Sequence, residues 1–90
     1  MKRKSRVINT APRVHLETIF KEKLLDLALD KVGDESEMGT LLGYQIVKRR
    51  RFRELREGIT KTLSIQQLEI LSKITGIPMH EIRKHIIKKN

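Results

Sequence analysis

Lys48, Arg49, Arg50 and Arg51 are four adjacent cations, and Arg53 and Arg56 follow them closely. Like charges at this spacing repel one another on any scaffold, so the run implies an anionic partner. An arginine fork bonds guanine O6 and N7 together, and lysine and arginine both neutralise phosphates. The chemistry on offer is polyanion recognition, with Lys48 suited to phosphate. Catalysis has no comparable constellation. His15, His80 and His85 are the three histidines, and none lies three or four residues from another, the spacing of paired ligands on a helix. Glu22, Asp26 and Asp30 recur at i, i+4 and i+8, which places them on one open helix face meeting solvent. Cysteine is absent, which removes disulfides, thiolate metal sites and cysteine nucleophiles. No enzyme activity, metal, cofactor or small-molecule ligand is expected.

The chain has 90 residues with 38% hydrophobic and 34% charged, enough for one modest core and too short for two domains. Its net charge is +9 and its pI about 10.3, the electrostatic footprint of a polyanion binder. The charge is also segregated. Residues 1–14 carry Lys2, Arg3, Lys4, Arg6 and Arg13 with no acid, and residues 15–43 hold seven acids against three bases. Residues 44–62 reverse this with seven bases against two acids. The apolar-rich stretch from Leu24 to Leu29 is interrupted by Asp26, so neither a signal peptide nor a membrane span is expected, and the expected location is the cytoplasm, on the nucleoid of a prokaryote or phage-infected cell.

Periodicity supplies the elements that must hold these cations. Residues 1–14 lack it and read as a basic, disordered arm, leaving 15–90 as the folded domain. Leu16, Ile19, Phe20, Leu24, Leu27 and Ala28 recur at helical spacing and predict a first helix ending at Gly33. Asp34, with Glu37 three residues on, predicts the start of a second helix with Met38, Leu41 and Leu42 inward. Gly43 is a predicted break, although one helix running through it would also place Leu41, Tyr44, Lys48, Phe52 and Leu55 in register. Phe52, Leu55 and Ile59 mark a third helix stopping near Gly58, with Ile46 and Val47 off its stripe. Ser64 and Gln67 form a capping-box pattern opening a fourth helix, with Leu63 positioned to staple against Leu68, and Leu68, Leu71 and Thr75 carry its buried row to Gly76. Pro78 begins a fifth helix with Met79, Ile82 and Ile86 inward. No stretch alternates with period two, so the expected fold is all-α, a compact bundle of about five short helices.

The order of caps and apolar positions resembles the Cro/repressor-type, or XRE-type, helix-turn-helix family. The resemblance is carried by Phe52-Arg53-Glu54-Leu55-Arg56-Glu57-Gly58, similar to the family's recognition-helix ending, in which two apolar residues precede a glycine by six and three places. It continues through Ser64 to Ile77, similar to the family's fourth helix with its small residue at Ser72, and back to Met38 to Tyr44, similar to the second helix and its turn. It covers roughly residues 15–83. Between Gly43 and Phe52 this chain carries about three residues more than the family pattern, so the turn or the recognition helix is altered. Where family members often offer glutamine to a phosphate, this chain has Glu35 and Ser36.

The resemblance implies a lambda-repressor-like domain that binds double-stranded DNA sequence-specifically as a small transcriptional regulator. Registering the third helix on Phe52 and Leu55 turns Arg50 and Arg53 outward and leaves Arg49 on a flank. Carried over from the family, Arg49, Arg50, Arg51 and Glu54 read bases, joined by Arg53 on the same helix, while Lys48 and Lys61 meet phosphates together with Lys2, Arg3, Lys4 and Arg6 of the arm. Glu54 has the alternative of pairing with neighbouring arginines. Ile87 falls off the stripe of the fifth helix and is the candidate contact for a homodimer formed on DNA. Two other classes compete: RNA binding, for which Tyr44 is the one aromatic not expected in the core, and a protein-interaction role as an antitoxin or phage-encoded inhibitor, with the acidic first helix as its surface.

Overall fold

The computed structural model describes residues 13–87; Lys2, Arg3, Lys4 and Arg6 lie outside them. The order of elements is β1 (Arg13–Leu16), α1 (Thr18–Val32), α2 (Glu35–Leu41), α3 (Lys48–Arg56), β2 (Thr62–Ser64), α4 (Ile65–Thr75), α5 (Met79–Arg83) and β3 (Ile86–Ile87). The five expected helices are there, but the fold is not all-α. A three-stranded antiparallel sheet runs in the order β2-β1-β3, pairing Val14 with Leu63 and His15 with both Thr62 and Ile87. Strands of four, three and two residues are too short for alternation to register, and the long-range pairing that stabilises them leaves no local mark.

Two boundaries move with the sheet. Arg13 and Val14, expected at the end of the arm, are ladder residues, and Arg13 donates from Nε to Thr62 Oγ1 and from Nη2 to the Thr62 carbonyl, both at 2.9 Å. Ile86, expected on the fifth helix, lies on β3, because α5 ends in a turn closed by Lys84 N–H to Glu81 O and His85 N–H to Ile82 O.

Leu24, Leu25 and Ala28 form the buried stripe of α1, with Lys21 in phase with them. Leu16, the first residue of the expected stripe, lies on β1 and does not set the helical phase. Ile19 therefore falls on the opposite side, 69% exposed, Leu27 is also exposed, and Leu25 is fully buried. Gly33 closes the helix at φ +87°, and the Asp34 side chain caps α2 by accepting from Glu37 N–H at 2.8 Å.

Between α2 and α3 the chain breaks at Gly43, so the continuous-helix alternative fails. Gly43 takes φ +93°; its N–H reaches Thr40 O and the Tyr44 N–H reaches Gly39 O, both at 3.0 Å. This is the paired arrangement of a Schellman termination, which leaves no helical path to Lys48. Residues 42–47 form this connection, and α3 begins only at Lys48. On its far side Gln67 joins both halves: it completes the capping box with Ser64, and its Nε2 donates to Leu42 O at 3.1 Å. A single buried amide thereby fixes the end of α2 to the start of α4. Leu63 and Leu68 are both fully buried, and Gly76 ends α4 at φ +84°, each as expected.

Candidate nucleic-acid interface

Phe52 and Leu55 are fully buried and set the rotation of α3. At 3.6 residues per turn, Arg50 then points directly away from the core, Arg53 lies on the outward face towards one flank, and Arg49 lies on that flank. All four arginines from Arg49 to Arg53 are exposed. What distinguishes them is which carboxylates reach them.

Arg53 is engaged. Its Nε donates to Glu35 Oε1 at 2.9 Å, and Nη2 lies at the same distance from that oxygen. Arg56, one turn on, places Nε 2.9 Å from Asp26 and Nη1 3.5 Å from Glu35. On the other flank Arg51 pairs with Glu54 at 3.7 Å. Glu54 therefore follows its alternative of pairing within the helix. Among the described residues Lys48, Arg49 and Arg50 hold no ion pair. Arg49 borders an acidic cleft of about 600 Å³ lined by Asp26, Asp30, Asp34 and Glu35, and also a cationic cleft of about 500 Å³ that it shares with Lys48, Arg50 and Ser36. Of the candidate base readers, Arg50 alone combines the outward face with freedom from internal acids.

The Glu35 carboxyl is held below the ordinary carboxylate range, first by the hydrogen bond from Arg53 and then by the charges of Arg53, Arg56 and Arg49, against an opposing effect of desolvation. A group depressed in the folded state stabilises the protein above its ordinary pKa of about 4.5, and that contribution is lost as pH falls through the depressed value. The difference in thermal midpoint between the wild type and Glu35→Gln should close as pH is lowered from 7 towards 3. A difference independent of pH would remove the ion pairs as its source.

At the entrance to α3, Val47 takes φ +41°, the one described non-glycine residue at positive φ, and no side chain caps the helix. A β-branched residue there is strained, and such strain concentrates where function fixes the backbone. Val47 and Ile46 are both exposed beside the cationic run. Behind them the α2 and α3 backbones touch at Gly39, where an added Cβ would lie 2.8 Å from the Lys48 carbonyl carbon and Cβ.

The other candidates are dispersed. Lys61 is exposed on the loop after α3, its Nζ 3.4 Å from Gly58 O. Ile87 is exposed as expected, but on the β3 edge of the sheet and not at the end of a helix. Glu22, Asp26 and Asp30 are exposed. Sequence reasoning missed Arg56, whose two carboxylate partners come from α1 and α2, and His85. The His85 ring stacks on Phe20 with centroids 3.8 Å apart, and its Nδ1 lies 2.8 Å from Glu17 Oε1. It thereby joins the start of α1 to the end of α5, a contact that no spacing within either segment encodes. Among the described residues no helix is long and apolar enough to cross a membrane. No protein-family model, curated protein or solved structure matches the chain.

Proposed function

We infer that the chain is a sequence-specific double-stranded DNA-binding protein, a small transcriptional regulator of the Cro/repressor type, in which α2 and α3 act as the helix-turn-helix unit and α3 enters the major groove. The observation that carries this reading is Arg50, outward on α3 and free of internal carboxylates, flanked by unpaired Lys48 and Arg49. A guanidinium without an internal acceptor keeps its whole fork for a base edge. Lys48, Lys61 and the arm cations Lys2, Arg3, Lys4 and Arg6 would neutralise backbone phosphates.

Duplex is favoured over single-stranded nucleic acid because stacking platforms need open aromatic faces. Phe52 is buried, Phe20 is stacked on His85, and Tyr44 is half-buried with its hydroxyl inside. The acidic surface of α1 is partly committed to Arg56 through Asp26, which leaves less of it for a basic protein partner.

A salt titration tests the reading. With about five phosphates neutralised, log affinity for duplex DNA should fall against log salt with a slope of roughly −4 to −5. A slope near zero, or preference for RNA of equal length in competition, overturns it.

A further inference from the structure

We propose that the cavity between β1, the start of α1 and the loop after α3 is a binding site for a phosphate group, held by Lys21 and Lys61. The cavity measures about 320 Å³ and is lined by these two lysines with His15, Thr18, Glu57 and Ile87 at its walls. It lies apart from the outward face of α3.

Lys21 is the telling residue. It is 4% exposed and shares the inward stripe of α1 with Leu24, Leu25 and Ala28. A buried ammonium ordinarily has a carboxylate beside it, because isolation of its charge from water is costly. Among the described residues Lys21 has none within ion-pairing distance; its Nζ meets one carbonyl, Thr60 O, at 3.3 Å. Lys61, which is exposed, also has no ion pair among the described residues, its Nζ leaning on Gly58 O at 3.4 Å. Each ammonium has three donors, so two on each remain for a ligand. Glu57 lines the same cavity but among the described residues pairs with neither lysine, so the cavity keeps an excess of one cation over its carboxylate. Burial first, then the neighbouring charge of Lys61, hold the Lys21 ammonium below the ordinary lysine range against an opposing effect of the Glu22 charge, and an anion placed between the two lysines would offset both.

Two cations facing one cavity suit a dianion, and a phosphate monoester carries close to two charges at pH 7 with three strong acceptor oxygens. Thr18 adds a hydroxyl at the opening turn of α1. The volume exceeds that of a phosphate and lies at the small end of ligand cavities, leaving room for a short organic portion against Leu16 and Ile87. A small phosphate monoester supplies this dianion in full, whereas a DNA backbone phosphate is a diester that offers phosphoryl oxygens with a single charge, and the test below tells the two sources apart. The site itself does not depend on the DNA-binding reading.

The test is a titration of the folded chain with inorganic phosphate against sodium chloride at matched ionic strength, followed by backbone amide resonances. Saturable shifts are expected around Thr18 to Lys21 and Gly58 to Lys61. Lys21→Met keeps the apolar stem and removes the buried charge, so it should fold, and it should weaken phosphate about tenfold or more. Lys61→Gln, at an exposed position, should weaken it in the same direction and guards against misfolding of the first variant. Absence of saturation in the wild type, or equal titration of the wild type and both variants, overturns the site. The source is then read on duplex DNA. A salt slope smaller by about one for Lys21→Met assigns a backbone phosphate; an unchanged slope, with the phosphate titration still lost, assigns a small ester.

Discussion

Gly39→Ala is expected to destabilise the protein by roughly 1–2 kcal/mol and to cost DNA binding more than stability. Two effects oppose each other at this position. Alanine in a helix interior is better than glycine by about 0.8–1 kcal/mol, and on an open helix face that gain would decide the sign. Here the added methyl would meet the backbone of Lys48, its carbonyl carbon 2.8 Å away. Overpacking of this kind costs typically 1–3 kcal/mol even where side chains can yield, and a carbonyl at the first residue of α3 can yield only by moving the helix. The clash therefore outweighs the propensity gain and acts on the element that carries Arg49 and Arg50. Gly43→Ala is the comparison: nothing lies within 4 Å of its added methyl, so its cost comes from φ +93° alone. Urea unfolding of both variants, with duplex DNA binding measured under folded conditions, separates them. A Gly39→Ala protein more stable than the wild type would mean that α2 and α3 are not in backbone contact.

These glycines illustrate how much of the molecule was legible in the sequence. Gly39 and Gly43 stand four apart, a spacing familiar from packed membrane helices, but without an apolar span that association carries no meaning. The two glycines do unrelated work, since Gly39 admits α3 at close range and Gly43 turns the chain, and only the position of Lys48 across the turn reveals the first role. Features written within three or four residues were readable: the Asp34 and Ser64 caps, the Gly33 and Gly76 exits, and the buried Phe52 and Leu55. Features written between distant segments were not. The sheet joins Val14 to Leu63, and Arg53 finds Glu35 across the turn. Lys21 lies between these cases. Its spacing to Leu24, Leu25 and Ala28 is i, i+3, i+4 and i+7, an inward pattern that was open to inspection. A stripe sought among apolar residues alone passes over it. The same omission let Leu16 and Ile19 set the phase of α1, although the buried lysine marks the true one.

The pairing pattern on α3 separates arginines that the sequence presents as equivalent. Arg50→Ala should remove base discrimination worth about 1–3 kcal/mol at the position it reads, while leaving non-specific affinity reduced only by the loss of one charge. Arg53→Ala should do less to specificity, because its guanidinium is already bonded to Glu35 at 2.9 Å and must leave that partner to reach a base. Arg49→Ala should fall between them: it holds no ion pair but borders the acidic cleft formed by Asp26, Asp30, Asp34 and Glu35. Deletion of residues 2–6, which contain Lys2, Arg3, Lys4 and Arg6, should weaken all sequences alike, as loss of phosphate contacts does. The experiment is selection of bound sequences from a random duplex pool by each variant, with affinities measured at one salt concentration. The order Arg50, Arg49, Arg53 in lost discrimination supports an outward-reading α3. If Arg50→Ala selects the same sequences as the wild type with the same information content, the reading surface is not this face of α3, and the loop carrying Lys61 becomes the element to test.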